Sequence, residues 1–277
     1  MGFDFAIFWQ AACAYLQGAS PYSVNGFAYP LAFVWVMLPF AMLPQQTAYV
    51  LWTLFNLGVL VGLARKRAPM ALLFLPVFFT LWVGQVDLFI LAAGWFGGWA
   101  GLALATLKPQ LAVWLWLWKF LQWRKEKQYK KIVLSLCSAG AIHAVAFIIW
   151  PGWLAAWRSS TSSVVDSASR ATSFFGAGAL LPIPSGITFL IATCLAALTF
   201  WQLRPLEWNR FWCWVAAFNP LSSPYSLCVL LDQVDWVAIL LSWLALPAVL
   251  ALHTNLPWVV VPAYLYWNQR KRTTLRV

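Results

Sequence analysis

The feature that most constrains this chain is the near-continuity of its apolar residues. Runs of Leu, Val, Ala, Phe and Trp follow one another from Pro30 to Trp267, broken only by short polar or basic blocks. A water-facing surface cannot be assembled from such a pattern. Of 277 residues, 63% are hydrophobic and 9% charged, against about 25% charged in soluble globular proteins. The expected architecture is all-α: a polytopic transmembrane helical bundle forming one integral membrane domain over residues 1–277, several of its helices short and broken.

The net charge of +11 would suggest a nucleic-acid partner in a soluble chain. Here fourteen of the 18 basic residues sit in four short blocks: Arg65 to Arg67, Arg124 to Lys131, Arg204 to Arg210 and Arg270 to Arg276. Each block borders an apolar run, which is the distribution of cytoplasmic loops rather than of a continuous basic groove. No nucleic acid is expected. The cysteines Cys13, Cys137, Cys194, Cys213 and Cys228 include no CxxC pair, and His143 and His253 lie far from any Cys cluster. Neither a disulfide framework nor a metal site is expected, and no cofactor. Met1 is followed by Gly2-Phe3-Asp4-Phe5, with neither a basic n-region nor a cleavage site, so no signal peptide is expected.

Loop charge and parity then order the chain. Asp4 to Gln17 reads as a helix lying on the membrane surface, with Phe5, Phe8, Trp9, Ala12 and Leu16 on one stripe. Gly18 to Gly26 is a turn-rich loop, and Pro30 to Leu43 is too short for the ~20 residues of a straight crossing. It reads as a second interfacial helix, so residues 1–45 lie outside. Residues 46–268 carry the transmembrane helices. Gln46 to Ala64 runs inward to the Arg65 block, and Met70 to Trp82 returns. Parity requires Asp87 to Leu107 to enter and come back, as one helix or as two hinged at Gly97-Gly98. Gly94, Gly97, Gly98 and Gly101 suit close packing there. The Ser- and Thr-rich segment Gly152 to Ser173 reads as an external loop, and residues 269–277 as a basic cytoplasmic tail.

A charge in or beside a membrane span is costly, which makes each one a functional candidate. Glu126 and Glu207 fall in basic loops and Asp166 in the Ser-rich loop, where water solvates them. Asp4, Asp87, Asp232 and Asp235 remain, with Lys108 as the isolated base opening an apolar helix. Asp4, Asp87 and Lys108 share the external side. A carboxylate that takes a proton and an ammonium that holds a phosphate suit chemistry on an anionic lipid headgroup. The plainer alternatives are a helix N-cap for Asp4 and helix-end residues reaching for the interface for Asp87 and Lys108. Trp9, Tyr22 and Tyr29 belong to the same region, as sugar-stacking rings or interfacial anchors.

Several motifs carry a family resemblance. Asp4-Phe5-x-x-Phe8-Trp9-x-Ala11-Ala12, Gly18-x-Ser20-Pro21-Tyr22 and Tyr29-Pro30 are followed in order by Gly84-Gln85-Val86-Asp87, Leu107-Lys108-Pro109-Gln110 and Asn219 to Tyr225. Together they resemble the family 87 glycosyltransferases, membrane enzymes of the GT-C superfamily typified by polyprenyl-phosphate-mannose-dependent mannosyltransferases. The resemblance implies an inverting hexosyltransferase, mannose being the expected sugar. The donor would be a polyprenyl-phosphate sugar and the acceptor lipid-linked or a glycan, with the active site on the external or periplasmic side of the plasma membrane. It places the catalytic base at Asp4. Lys108, Gln110, Gln85, Asp87, Tyr22, Tyr29, Arg158 and Arg170 are the candidates for holding the donor's phosphate and sugar. The sequence departs from the family pattern in three places: only three residues precede Asp4 where the family has a spanning helix, Leu31 stands for a second proline, and Asp87 stands where Asn is frequent. A transporter or flippase-like protein, or an inactive relative, remains the alternative. Transporter folds often show two related halves, and no internal repeat is visible here.

The topology is testable by itself. A cysteine introduced as Ser162→Cys should react with a membrane-impermeant thiol reagent added outside intact cells. Labelling only after permeabilisation would overturn the assignment of sides.

Overall fold

The structure is a computed structural model and describes residues 2–165, 171–179, 184–203 and 207–274. Among these residues the regular structure is helical, with no strand. The chain divides into two compact units, residues 1–63 with 80–164 and residues 64–79 with 165–277.

The first unit opens with α1 (Phe3–Leu16), α2 (Leu31–Ala41) and α3 (Gln45–Ala64). α1 buries Phe5, Phe8, Ala11 and Ala12. The observed stripe differs at its edges from the periodic reading: Leu16 is exposed and Trp9 half-buried, its indole Nε1 donating to the Leu43 carbonyl at 3.1 Å. Aromatic edges lock α1 to its neighbours. Phe8 meets Phe33 of α2 at 5.0 Å and Tyr29 at 4.9 Å between ring centroids, and Phe5 meets Tyr49 of α3 at 5.7 Å.

Next in the chain come α4 (Ala68–Leu73) and α5 (Leu75–Val83), separated by a break at Phe74. The Met70 to Trp82 stretch is therefore two helices. The chain then bends by 111° into α6 (Asp87–Phe96). α7 (Gly98–Ala105) follows, so the 87–107 region forms two short helices broken at Gly97-Gly98. A Cβ on Gly101 would lie 2.0 Å from the Ala93 carbonyl oxygen. That contact is possible only for glycine, and it is what lets α7 fold back on α6. α8 (Pro109–Lys125) and α9 (Tyr129–Ile149) complete the hairpin, with Pro109 at the first helical turn of α8, where its missing N–H costs nothing.

α10 (Trp153–Val165) corrects the reading of that part of residues 152–173 as a loop, while 166–170 lie outside the described residues. Ser and Thr bias a sequence toward caps and turns because their hydroxyls compete for backbone groups. Here those hydroxyls turn back along the helix instead: Ser160 donates to the Trp157 carbonyl and Thr161 to that of Arg158. Trp153, nearly fully buried, and Trp157, bonded to the Ala28 carbonyl, anchor one face at i, i+4 spacing.

The second unit holds α4, most of α5, α11 (Ser185–Trp201), α12 (Trp208–Phe218), α13 (Trp236–Leu252) and α14 (Val260–Thr274). α12 is buried from Phe211 to Phe218. Asp235 caps α13 by accepting from the Ala238 N–H, and its other oxygen takes the Tyr264 hydroxyl at 3.0 Å from α14. Trp243 donates to the Leu73 carbonyl freed at the α4–α5 break.

Among the described residues, two helical runs are long and apolar enough to cross a bilayer, Gln45–Leu73 and Tyr129–Ile149, or three if α5 and α6 form one bent span. α1, α2, α13 and most of α11 are apolar but shorter. This is a membrane protein, yet charge parity counts more crossings than there are unbroken spanning helices. The reason is physical: backbone breaks are tolerated at membrane depth where protein covers them. α9 buries only Ser135 and Ala146 and exposes Leu136, Val145, Phe147 and Ile148, the surface of a lipid-facing helix.

The 84–86 bend sets a stability prediction. Gly84 has φ +78°, and a Cβ there would lie 2.5 Å from the Phe5 Cβ. Gly84→Ala should cost about 2 kcal/mol or more, from left-handed strain and from overpacking. Gly140→Ala, in a helix with open space around it, should be neutral or slightly stabilising. Thermal unfolding in detergent measures both.

Candidate functional site

The site is built in the first unit around the 84–86 bend. α3 supplies two side chains that hold the end of α5. Tyr49 donates its hydroxyl to the Trp82 carbonyl at 2.8 Å, and Trp52 Nε1 donates to the Gly84 carbonyl at 3.0 Å. The Gly2 N–H adds a second bond to the Trp82 carbonyl at 2.8 Å. Carbonyls that the bend would leave unpaired are thereby satisfied. The bend is fixed against the start of α1, and Gln85 lies beside Asp4.

From there a chain of polar contacts runs inward. Gln85 Nε2 donates to Asp4 Oδ2 at 2.6 Å. Gln85 Oε1 accepts from Tyr29 Oη at 3.1 Å, from Lys108 Nζ at 3.2 Å and from its neighbour Val86 N at 3.2 Å. Lys108 Nζ also pairs with Asp87 Oδ2 at 2.5 Å. Lys108 is 1% exposed, Asp87 0% and Gln85 4%, whereas Asp4 is only half-buried. The set therefore has a buried ionic end and one carboxylate nearer the surface. Burial holds the Asp4 carboxyl above the usual carboxylate range, against the Gln85 hydrogen bond and the Lys108 charge, which pull it down; Asp87 adds a smaller upward push.

Two of the plainer alternatives are overturned. Asp4 is not an N-cap: Gly2 occupies that position, in a left-handed conformation, and Asp4 sits inside the first turn with its carboxylate on Gln85. Asp87 and Lys108 do not reach for the interface. They turn inward and pair, because a buried carboxylate and a buried ammonium are tolerable only together. α6 begins at Asp87, and Lys108 holds the cap position of α8, so two helix starts meet at the pair.

The other candidates fall elsewhere. Gln110, at the second position of α8, is half-buried and outside this hydrogen-bonded set. Tyr22 packs on Trp150 at 5.7 Å and on Phe27 at 5.6 Å, and burial pushes its phenol well above the ordinary range. Arg158 is exposed on α10, and Arg170 lies outside the described residues. In the second unit Asp235 serves as cap and interhelix clip. Asp232 accepts from Trp208 Nε1 at 2.7 Å, and burial holds its carboxyl above the usual range. The Asn219 to Tyr225 segment is tied down by Ser173, whose hydroxyl donates to the Asn219 carbonyl, and by Thr172, whose N–H donates to the Ser222 carbonyl.

One feature escaped the sequence reading. A pocket of about 580 Å3 is lined mainly by apolar groups, among them Trp116, Phe147, Trp153 and Trp157, with Thr106 and His143 as its polar members. His143 Nε2 and Thr106 Oγ1 lie 3.0 Å apart. Pro30 and Pro109 on its wall adjoin Tyr29 and Lys108 in sequence. The available signal was a lone histidine in an otherwise apolar spanning helix. Among the described residues no three His, Cys, Asp or Glu side chains gather as a metal site.

The buried pair sets a second stability prediction. Lys108→Met should cost about 3–5 kcal/mol, because it leaves the Asp87 carboxylate buried and unpaired. Thermal unfolding in detergent should show the loss.

Comparison with known proteins adds to this geometry. The glycosyltransferase family 87 pattern matches residues 27–224. The matched stretch contains Tyr29, Gln85, Asp87, Lys108 and Gln110, and Asp4 precedes it. Among curated proteins and among solved structures there is no match. The match covers well over half of the 277 residues, and the chain belongs to glycosyltransferase family 87.

Proposed function

We propose that this membrane glycosyltransferase moves a hexose, mannose being the expected sugar, from a polyprenyl-phosphate donor to a lipid-linked or glycan acceptor. The reaction takes place at the external face of the plasma membrane and inverts the anomeric centre. The observation that carries this reading is the Asp4 carboxylate. It is half-buried, its carboxyl is raised by burial, and it stands at the outer end of a buried polar set containing a cation.

The chemistry requires little more. An acceptor hydroxyl is a weak nucleophile, and Asp4 takes its proton as the oxygen attacks the anomeric carbon. The C1–O bond to phosphate breaks, and the lipid phosphate leaves with the bonding electrons. It is a good leaving group, so the second carboxylic acid that glycosidases use is unnecessary. A base with a raised carboxyl pKa is the better proton acceptor near neutral pH. Water then carries the proton away from Asp4.

Positive charge near the departing phosphate completes the mechanism. Lys108 is enclosed, with its ammonium on Asp87 and Gln85, so we assign its influence to the field it exerts. Direct phosphate contact falls to Arg158, exposed on α10. Arg158 follows Trp157, which lines the aromatic pocket. The lipid tail remains in or beside the bilayer throughout.

The test is transfer from a polyprenyl-phosphate hexose by purified protein in liposomes. Asp4→Asn keeps the shape of the side chain and its acceptor oxygen toward Gln85, so the protein should fold. Transfer should fall by roughly 100-fold or more. In the wild type, activity needs ionised Asp4, so kcat/KM should decline as pH falls through its pKa. Burial places that acid limb above the usual carboxylate range. Wild-type rates in Asp4→Asn would remove Asp4 as the base.

A further inference from the structure

We propose that Gln85 is a positioning residue: its side-chain amide, locked by Lys108, Tyr29 and Val86, pins Asp4 Oδ2 and leaves Oδ1 as the oxygen that receives the proton. This rests on the reading of Asp4 as the base and goes beyond it, because it makes a buried ion pair part of the catalytic arrangement without contact with substrate.

The argument begins with the two ends of an amide. The oxygen only accepts and the nitrogen only donates, and at ordinary precision the two are interchangeable. Here the neighbours settle the orientation. Gln85 Oε1 faces the Lys108 ammonium and the Val86 N–H, and both groups can only donate. The Tyr29 hydroxyl approaches the same oxygen at 3.1 Å. A flipped amide would set its NH2 against two obligatory donors inside a buried region. The nitrogen must therefore face Asp4, and the contact it makes there is short, at 2.6 Å, as expected for a donor to a carboxylate. The polarity runs one way, from ammonium to amide to carboxylate. An amide already polarised by a cation is a stronger donor than a free one.

The consequence for Asp4 follows. Among the described residues, Gln85 supplies the one hydrogen bond recorded to its carboxylate, and it goes to Oδ2. Oδ1 keeps its lone pairs. Asp4 as a residue is half-buried, whereas Asp87 is sealed in. The charged groups that act on Asp4 are Lys108, at the start of α8, which favours the ionised form, and Asp87, at the start of α6, which opposes it more weakly. Tyr29, ahead of α2, is neutral and spends its hydroxyl on Gln85. Tyr49 of α3 spends its own on the carbonyls of Leu81 and Trp82. Gln85 is the link through which Lys108 reaches Asp4 by hydrogen bonds.

The test separates packing from positioning. Gln85→Glu is nearly isosteric and still offers an oxygen to Lys108, Tyr29 and Val86, so a purely structural role survives it. It replaces the donor toward Asp4 by a second carboxylate oxygen. The expected result is normal thermal stability, an acid limb of kcat/KM moved up by about one pH unit or more, and a loss of about tenfold or more at neutral pH. Gln85→Met, which removes both functions, should also raise the limb, and it decides the matter if the Glu variant does not fold. A third arm is the double variant Asp87→Leu with Lys108→Met. It replaces the ion pair by apolar groups of similar size, which folded proteins often tolerate. Its acid limb should rise by less, because Gln85 still donates to Asp4. All are compared with Asp4→Asn in the same assay. Inactive Asp4→Asn beside a wild-type pH profile in Gln85→Glu, or in Gln85→Met if that is the variant that folds, overturns the positioning role alone. Wild-type rates in Asp4→Asn overturn the base itself, and the positioning proposal with it.

Discussion

An ammonium and a carboxylate that are both sealed from solvent must satisfy one another, and in this protein the Lys108–Asp87 pair does so at the meeting point of two helix starts. Desolvating two charges is expensive, and their attraction compensates only when the geometry is good and neighbouring dipoles help. Much of the first unit is arranged around that requirement. α6 must begin at Asp87 and α8 just after Lys108, and the two short helices α6 and α7 must fold back closely enough to bring those starts together. The fold-back depends on Gly101, which has no side chain to collide with the Ala93 carbonyl.

The polar set then extends from the pair to the surface by way of the 84–86 bend. That bend is held from both sides. Tyr49 and Trp52 of α3 fill its carbonyls, and the start of α1 packs on Gly84 closely enough that no Cβ would fit. Gln85 is thus fixed between an interior cation and a carboxylate that still meets solvent. Burial falls off from Asp87 through Lys108 and Gln85 to Asp4, so one carboxylate is enclosed with its cation and the other is only half-buried.

The membrane setting explains why so many helices are short. Lipid tails are as apolar as leucine, so burial against a neighbour is no more favourable than burial in lipid. Helices associate instead through close packing and internal hydrogen bonds. α9 shows one extreme, apolar around most of its surface and buried at few positions. α12 shows the other, enclosed from Phe211 to Phe218. Indole N–H groups recur as the fasteners: Trp9, Trp52 and Trp243 each donate to a carbonyl at or beside a helix end or break, and Trp157 donates to the loop carbonyl of Ala28. A chain with 21 tryptophans and few charges uses them where a soluble protein would use Asp, Ser or water.

The sequence by itself determined the class of this protein. Composition and the spacing of basic blocks require a helical membrane protein, because few charges and long apolar runs allow nothing else. The ordered motifs around Gly84-Gln85-Val86-Asp87 and Leu107-Lys108-Pro109-Gln110 pointed to the family that the match over residues 27–224 establishes. The helix start at Pro109 was legible too, since proline acts on its own backbone, whereas the sequence left the 87–107 region open between one helix and two hinged at Gly97-Gly98, and the structure shows two. The helix over Trp153–Val165 was not legible, because serine hydroxyls can bond either a turn or a preceding helical carbonyl, and only the packing of Trp153 and Trp157 decides between them. The roles of the charges were also beyond it. Asp4 could have been a cap, and Asp87 and Lys108 could have been interfacial; which they are depends on neighbours 21 to 81 positions away in the chain. Tertiary structure alone decided that Asp87 and Lys108 pair in the interior while Asp4, bonded to Gln85, stays half-buried, because the cost of burying a charge depends on its partners, and those are chosen by folding.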